Sequence, residues 1–165
     1  PKVFADARGY FFESYNDMAF KAAGLNLNFA QDNQSLSQKG VLRGLHFQNQ
    51  PHAQGKLVRV ITGAVLDVAV DIRKNSPTYG KWFSLELTEE NKAMMYIPEG
   101  FAHGFATLRN NTVFSYKCTN VYNKASEDCI VWNDADLAID WKIEAPLLSD
   151  KDLTGKRFKD YISLF

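Results

Sequence analysis

Val65-Leu66-Asp67-Val68-Ala69-Val70-Asp71-Ile72 is the stretch that decides the fold class. Successive side chains of a strand point to opposite faces, so Leu66, Val68, Val70 and Ile72 share one face while Val65, Asp67, Ala69 and Asp71 share the other. The apolar face packs a core, which leaves the two carboxylates facing solvent or a polar barrel interior. Solvent is the expectation for Asp71. Asp67 lies mid-strand, where a buried partner is expected, because buried charges persist only when paired. The same period of two recurs in Leu57–Ile61, Trp82–Leu87, Met94–Ile97 and Thr112–Lys117, short runs rich in β-branched and aromatic residues. Gly63, Asn75-Ser76-Pro77, Thr88–Asn91 and Arg109–Asn111 supply the breaks between them, at spacings typical of a sandwich or barrel. An antiparallel β-barrel or jelly roll is therefore expected. Helix is expected only over Asp17–Ala23, closed by Gly24, and from a start at Ser149-Asp150-Lys151-Asp152.

A chain of 165 residues with 45% hydrophobic content fits one globular domain spanning 1–165. Nineteen basic and nineteen acidic residues cancel, so no global field attracts nucleic acid or an anionic membrane, and a small-molecule partner is expected. Cys118 and Cys129 are too few for a disulfide framework and lack metal-ligand spacing, which fits a reducing cytosol. No apolar run approaches the roughly 18 to 20 residues that span a bilayer, and no basic-then-apolar leader opens the chain. Cytoplasm is the expected location, and because the sequence opens at Pro1 without a methionine, further residues are expected before it.

Gly40-Val41-Leu42-Arg43-Gly44-Leu45-His46-Phe47-Gln48 carries the first functional signal. It sets an arginine, a histidine and a glutamine on a segment that otherwise reads as core. Imidazole titrates near neutrality and guanidinium never does, so the pair suggests an anionic ligand beside a proton-transfer group. Arg43 and His46 have opposite parity in a regular strand, so they reach one cavity only if Gly44 marks a bulge or bend. Lys56 opens the next strand, His103 lies in Pro98–Phe105, and Tyr116 alternates with Phe114, Cys118, Asn120 and Tyr122. Taken singly, each has a plainer explanation: a core histidine, a surface lysine, a loop histidine, an aromatic core stripe.

A metal site is the next test. Pro98-x-Gly100-x-x-His103 resembles the second signature of cupin barrels, whose first signature is a His-x-His pair, then a glutamate, then a glycine. Here His46-Phe47-Gln48 breaks the pair, and Lys56 stands seven residues before Gly63, where the glutamate belongs. A cationic lysine cannot help to bind a divalent ion. What is expected is a cupin-like cavity holding proton-transfer groups and positive charge, with no metal.

The chain resembles the dTDP-4-dehydrorhamnose 3,5-epimerase family along nearly its whole length. The resemblance rests on Asp6-x-Arg8-Gly9-x-Phe11-Phe12-Glu13-Ser14, Gln31-Asp32-Asn33-x-Ser35, Gly40–Gln48, Gly55–Val60, Asp67–Arg73, Ser76–Gly80, Ile97–Phe105 and Ser149-x-Lys151-Asp152. The visible departure is at the start, where members usually carry another strand. The resemblance implies a mainly β, cupin-type double-stranded β-helix (jelly roll) with short flanking helices, no cofactor, and a homodimer. It implies that His46 is the general base oriented by Asp152, that Lys56 stabilises developing negative charge, and that Tyr116 is the acid on the opposite side. Arg43, Gln31, Asn33, His103, Tyr122 and, from its strand, Asp67 are expected around the nucleotide-sugar pocket. Phe4, Arg8 and Glu13 are expected to reach nucleotide bound to a neighbouring subunit. Alternatives are an epimerase of a single carbon or another nucleotide, a non-catalytic sugar-binding cupin, and, disfavoured by the broken ligand set, a metal-dependent oxygenase.

Overall fold

Strand-forming runs separated by turn residues build two facing antiparallel sheets in the computed structural model, which describes residues 1–165. A hairpin of β1 (Phe4–Asp6) and β2 (Gly9–Phe11) and a short helix α1 (Asp17–Ala22) come first. Asn16 caps α1, its side chain accepting from Ala19 N–H at 3.1 Å, and the helix stops at Ala23 before Gly24, within a residue of the expected end. The barrel follows as β3 (Gln31–Ser37), β4 (Leu42–Gln48), β5 (Lys56–Thr62), β6 (Ala64–Asp71), β7 (Trp82–Thr88), β8 (Met94–Ile97), β9 (Phe101–Thr107), β10 (Thr112–Cys118) and β11 (Glu127–Cys129). One sheet has the order β3-β10-β5-β8 and the other β11-β4-β9-β6-β7. A single-turn helix α2 (Asp150–Leu153) lies near the C-terminus. No helix is long and apolar enough to cross a membrane.

Two apolar clusters hold the sheets. Between them, Val58, Val60 and Phe114 of one sheet meet Val65, Ala69, Leu87 and Phe105 of the other. On the outer face of the larger sheet, Leu42, Leu45, Leu66, Val68 and Val70 are covered by Ile130, Leu137, Trp141 and Tyr161 from the C-terminal part of the chain. At about 2 kcal/mol for each large side chain fully removed from water, these clusters outweigh the few polar groups buried among them.

This double coverage corrects the expectation for Asp71. Every residue of β6 is buried, so neither of its faces meets water, and Asp71 is 1% exposed. It is satisfied internally: Arg73 donates from Nε at 2.9 Å and from its terminal nitrogen at 2.7 Å, and the hydroxyls of Ser76 and Thr78 each donate at 2.6 Å. Burial alone would push this carboxyl up, but those donors outweigh it and hold it well below the usual carboxylate range.

Gly44 does mark a bulge. In the β4–β9 ladder Arg43 pairs with Phe105 but His46 pairs with His103, so β4 carries one extra residue between them. The insertion cancels the parity difference and turns Arg43 and His46 to one face. Only glycine serves here: φ at Gly44 is +135°, and a Cβ would lie 2.4 Å from Gly104 Cα.

Candidate active site

The two sheets leave a small cavity at one end of the barrel, about 100 Å³ in volume. His46, Phe47 and Gln48 of β4 and Glu127 of β11 line it from the larger sheet. Gln31, Asn33, Lys56 and Tyr116 line it from β3, β5 and β10 of the smaller sheet, and the loop residues Gln54 and Tyr122 complete it. His46 and Tyr116 thus come from facing walls.

Asp152 anchors His46. The carboxylate is 2% exposed and its Oδ1 lies 2.8 Å from His46 Nε2. That contact is close but out of line with the ring N–H, so the carboxylate sits against the ring without a regular hydrogen bond to it. Gly44 N–H donates to Oδ1 at 3.0 Å, and Ser149 donates to Oδ2 from its hydroxyl at 2.5 Å and its N–H at 3.2 Å. Ser149 and Asp152 form the capping box that starts α2, so the same residue that begins the helix orients the imidazole. Burial pushes the Asp152 carboxyl up, but contacts from His46, Ser149 and Gly44 prevail and hold it far below the ordinary range. It is an anion throughout the neutral range.

Lys56 is half-buried, with Nζ 3.5 Å from His46 O. Burial draws its ammonium pKa down, against the opposing pull of Cys118 and Asp67. Beneath it lies a buried pair: His103 Nε2 is 3.1 and 3.0 Å from the two oxygens of Asp67. Burial raises the Asp67 carboxyl and lowers the His103 imidazole, each opposed by the other partner. His103 and Asp67 therefore form a layer under the cavity instead of its wall.

Tyr116 packs its ring 5.9 Å from that of Phe114, and burial raises its phenol pKa, so the group stays protonated at neutral pH and can give up a proton. Tyr122 N–H donates to Gln31 Oε1 at 2.8 Å and its hydroxyl to Glu127 Oε2 at 3.0 Å. Gln31 in turn donates to Asn33 Oδ1 at 3.0 Å.

Arg43 shares the face of His46 but is exposed outside the cavity, with Nε 3.4 Å from Ser37 Oγ and its charge felt by Tyr116. Phe4, Arg8 and Glu13 are exposed on the N-terminal segment. Arg8 pairs with Asp6 at 2.5 Å, while Phe4 and Glu13 line a separate groove with Leu57, Met94 and Tyr96. None of the three joins the chain's own cavity.

Glu127, Gln54 and Phe47 line the cavity without having been singled out from the sequence, and Gln48, marked there beside Arg43 and His46, lines it with them. Glu127 is paired with Lys151, which outweighs burial and lowers its carboxyl pKa. The donor set does not suit a metal: no group of three His, Cys, Asp or Glu side chains comes together to hold one, and Lys56 occupies the would-be carboxylate position.

A family model described as dTDP-4-dehydrorhamnose 3,5-epimerase matches residues 1–160. The chain is 55% identical to a dTDP-4-dehydrorhamnose 3,5-epimerase of Shigella flexneri, over 97% of this chain and 89% of that one. A crystal structure of the corresponding protein from Elizabethkingia anophelis NUHP1 superposes with a TM-score of 0.91 at 55% identity, covering 97% of this chain and 89% of its own. A dTDP-6-deoxy-D-glucose-3,5-epimerase of Legionella pneumophila Philadelphia 1, solved in complex with dTDP-4-keto-L-rhamnose, superposes with a TM-score of 0.94 at 49% identity, covering 97% and 86%. These neighbours share the antiparallel jelly roll.

Proposed function

The chain belongs to the dTDP-4-dehydrorhamnose 3,5-epimerase family, and from that premise we propose that it inverts C3 and C5 of dTDP-4-keto-6-deoxy-D-glucose with His46 as base and Tyr116 as acid. The observation that carries the assignment is their origin on facing sheets. Inversion needs a proton to leave one face of a carbon and another to arrive on the opposite face, which a base and an acid on facing walls can supply.

C3 and C5 both flank the C4 ketone, so one site serves both carbons. His46 takes the proton, the C–H electron pair moves into the ring, and the C4 oxygen becomes an enolate. The Lys56 ammonium stabilises that oxygen, a kind of interaction worth about 3 kcal/mol in a dry site. Asp152 holds the imidazole and stabilises the imidazolium it becomes. Tyr116 then protonates the carbon from the other side, the enolate collapses to the ketone, and solvent returns a proton to the phenolate and removes one from the imidazolium.

A cavity of about 100 Å³ is suited to the reacting sugar ring, leaving the nucleotide outside. Arg43, exposed beyond the cavity with a guanidinium fork suited to two oxygens at once, meets the diphosphate. Gln31, Asn33 and Tyr122 bind the sugar, and His103 and Asp67 support Lys56 from beneath. Phe4, Arg8 and Glu13 serve the nucleotide of a neighbouring subunit in a homodimer, which their exposure away from the chain's own cavity supports. Two buried free cysteines suit a reducing cytoplasm.

The test is NMR of dTDP-4-keto-6-deoxyglucose incubated with the protein in D2O. Deuterium at both C3 and C5 is expected. Deuterium at one carbon would reassign the chain to single-site epimerisation, and none at either would refute the function.

A further inference from the structure

We propose that Gln48 is a positioning residue that holds Tyr122 at the mouth of the cavity. The inference rests on the role just given to Tyr122. Val121, Tyr122 and Asn123 lie in no regular secondary structure, and Tyr122 is 52% exposed, so neither a ladder nor packing fixes the tyrosine. Two glutamine side chains do it instead. Gln48 Nε2 donates to Val121 O at 3.2 Å and Gln48 Oε1 accepts from Asn123 N–H at 2.7 Å, bracketing Tyr122 on both sides. Gln31 Oε1 takes the N–H of Tyr122 itself.

Gln48 is well suited to a clamp. It ends β4, two residues beyond His46, and is 5% exposed, so its amide has few rotamers open to it. The second Nε2 proton goes to His52 O at 2.6 Å, which ties the β4–β5 loop to the same amide. His52 Nδ1 meets Ser126 Oγ at 2.9 Å, joining that loop back to the one carrying Tyr122. The tyrosine is thereby referenced to the strand that carries the base, and its hydroxyl reaches Glu127 across the mouth. Releasing the clamp leaves the chemical groups untouched and lets Tyr122 move, and displacements of about 1 Å can cost up to roughly a hundredfold in rate.

The experiment is a double-mutant cycle of Gln48→Met and Tyr122→Ala in the full-length protein, read by kcat, KM and the C3-to-C5 deuterium ratio, with hydrogen exchange over residues 119–126. Gln48→Met is expected to lower kcat/KM about tenfold, to change the deuterium ratio as Tyr122→Ala does, and to have no further effect once Tyr122 is gone. Exchange protection should fall in 119–126 and persist in β4 and β9. Full additivity, or unchanged kinetics with the loop deprotected, overturns the proposal. Should Gln48→Met fail to fold, Gln48→Glu keeps the acceptor for Asn123 N–H, loses the amide donors and must show the same non-additivity. If Tyr122→Ala alone leaves turnover and the ratio unchanged, the assignment of Tyr122 to the site falls and the clamp's catalytic role with it. An effect of Tyr122→Ala that Gln48→Met does not reproduce counts against the clamp alone.

Discussion

Replacing Asp152 by Asn removes one charge at constant size, and the geometry fixes the result. The new amide must set its NH2 toward one of two donor groups. On the Oδ1 side it would face Gly44 N–H, which cannot turn away, and on the Oδ2 side it would face Ser149, whose hydroxyl can rotate to accept. The NH2 therefore goes to Ser149, and the retained oxygen still faces Gly44 and His46. The imidazole keeps its tautomer and loses only the anion that stabilises its protonated form. A close charge contact of this kind is worth about 3 kcal/mol, or roughly a hundredfold in kcat, whereas a wrong tautomer would cost nearer ten-thousandfold. Stability should fall as well, because Ser149 N–H loses its acceptor, by about 1–2 kcal/mol or roughly 3–6 °C in Tm. The sign with pH follows from the depressed Asp152 carboxyl. Its stabilisation is full above the ordinary carboxylate range near about pH 4 and is lost as pH falls below it, so the variant's deficit should shrink on acidification. Steady-state turnover and thermal melts from pH 7 downward test this. A kcat within about threefold of the unsubstituted enzyme would refute the role given to Asp152.

Tyr116→Phe should separate abstraction from inversion: His46 still exchanges the proton it removes, so deuterium enters recovered substrate while product formation falls by roughly a hundredfold. Undiminished product formation would remove Tyr116 as the acid. Lys56 should set the alkaline limb of kcat/KM below the range of a free lysine, since burial lowers its pKa while burial raises that of Tyr116. Lys56→Met should abolish turnover yet raise Tm at neutral pH, with the gain fading as pH climbs through the native pKa and the parent sheds its buried charge; a lower Tm at neutral pH would refute it. Gly44→Ala should cost about 3 kcal/mol or more, because the new Cβ would lie 2.4 Å from Gly104 Cα at a φ of +135°; a melting temperature unchanged within error would show that the bulge is not needed.

The parts of the molecule legible in sequence are those where burial is one-sided and local. β8 and most of β10 alternate in burial, and the β-branched and aromatic residues of these strands and of β5 and β7 mark them without reference to anything distant. β3 reads as polar, Gln31-Asp32-Asn33-Gln34-Ser35-Leu36-Ser37, because Gln31 and Asn33 on its inward face line the cavity instead of packing a core. Asp71 was misjudged for a different reason. The face of β6 that carries Asp71 with Val65 and Ala69 is turned to the opposite sheet, while the face of Leu66, Val68 and Val70 is covered by Leu137, Trp141 and Tyr161 from a stretch with almost no regular structure, so both faces are buried. The same separation hides Glu127, whose three-residue strand gives no periodic signal and whose partner Lys151 lies 24 residues on. The bulge, by contrast, was legible as a contradiction: Arg43 and His46 could share a face only if Gly44 broke the pattern, and it does.

The broken cupin signature explains how a metal-binding type of barrel can support enolate chemistry through side chains alone. Of the positions that such a signature would give to ligands, His46 carries an imidazole tied to Asp152, Gln48 has spent its amide on two loops, Lys56 presents an ammonium to the cavity, and His103 is committed to Asp67. These commitments reinforce one another. A second histidine at position 48 would release the loop that carries Tyr122. A dication polarises an oxygen from a fixed coordination sphere, whereas an ammonium on four methylenes must be aimed. The backbone of β4, displaced by the Gly44 bulge, supplies the aim, since Lys56 Nζ approaches the carbonyl of His46 itself. One kinked strand thus carries His46 and approaches the Lys56 ammonium, and Asp152 accepts Gly44 N–H at the kink.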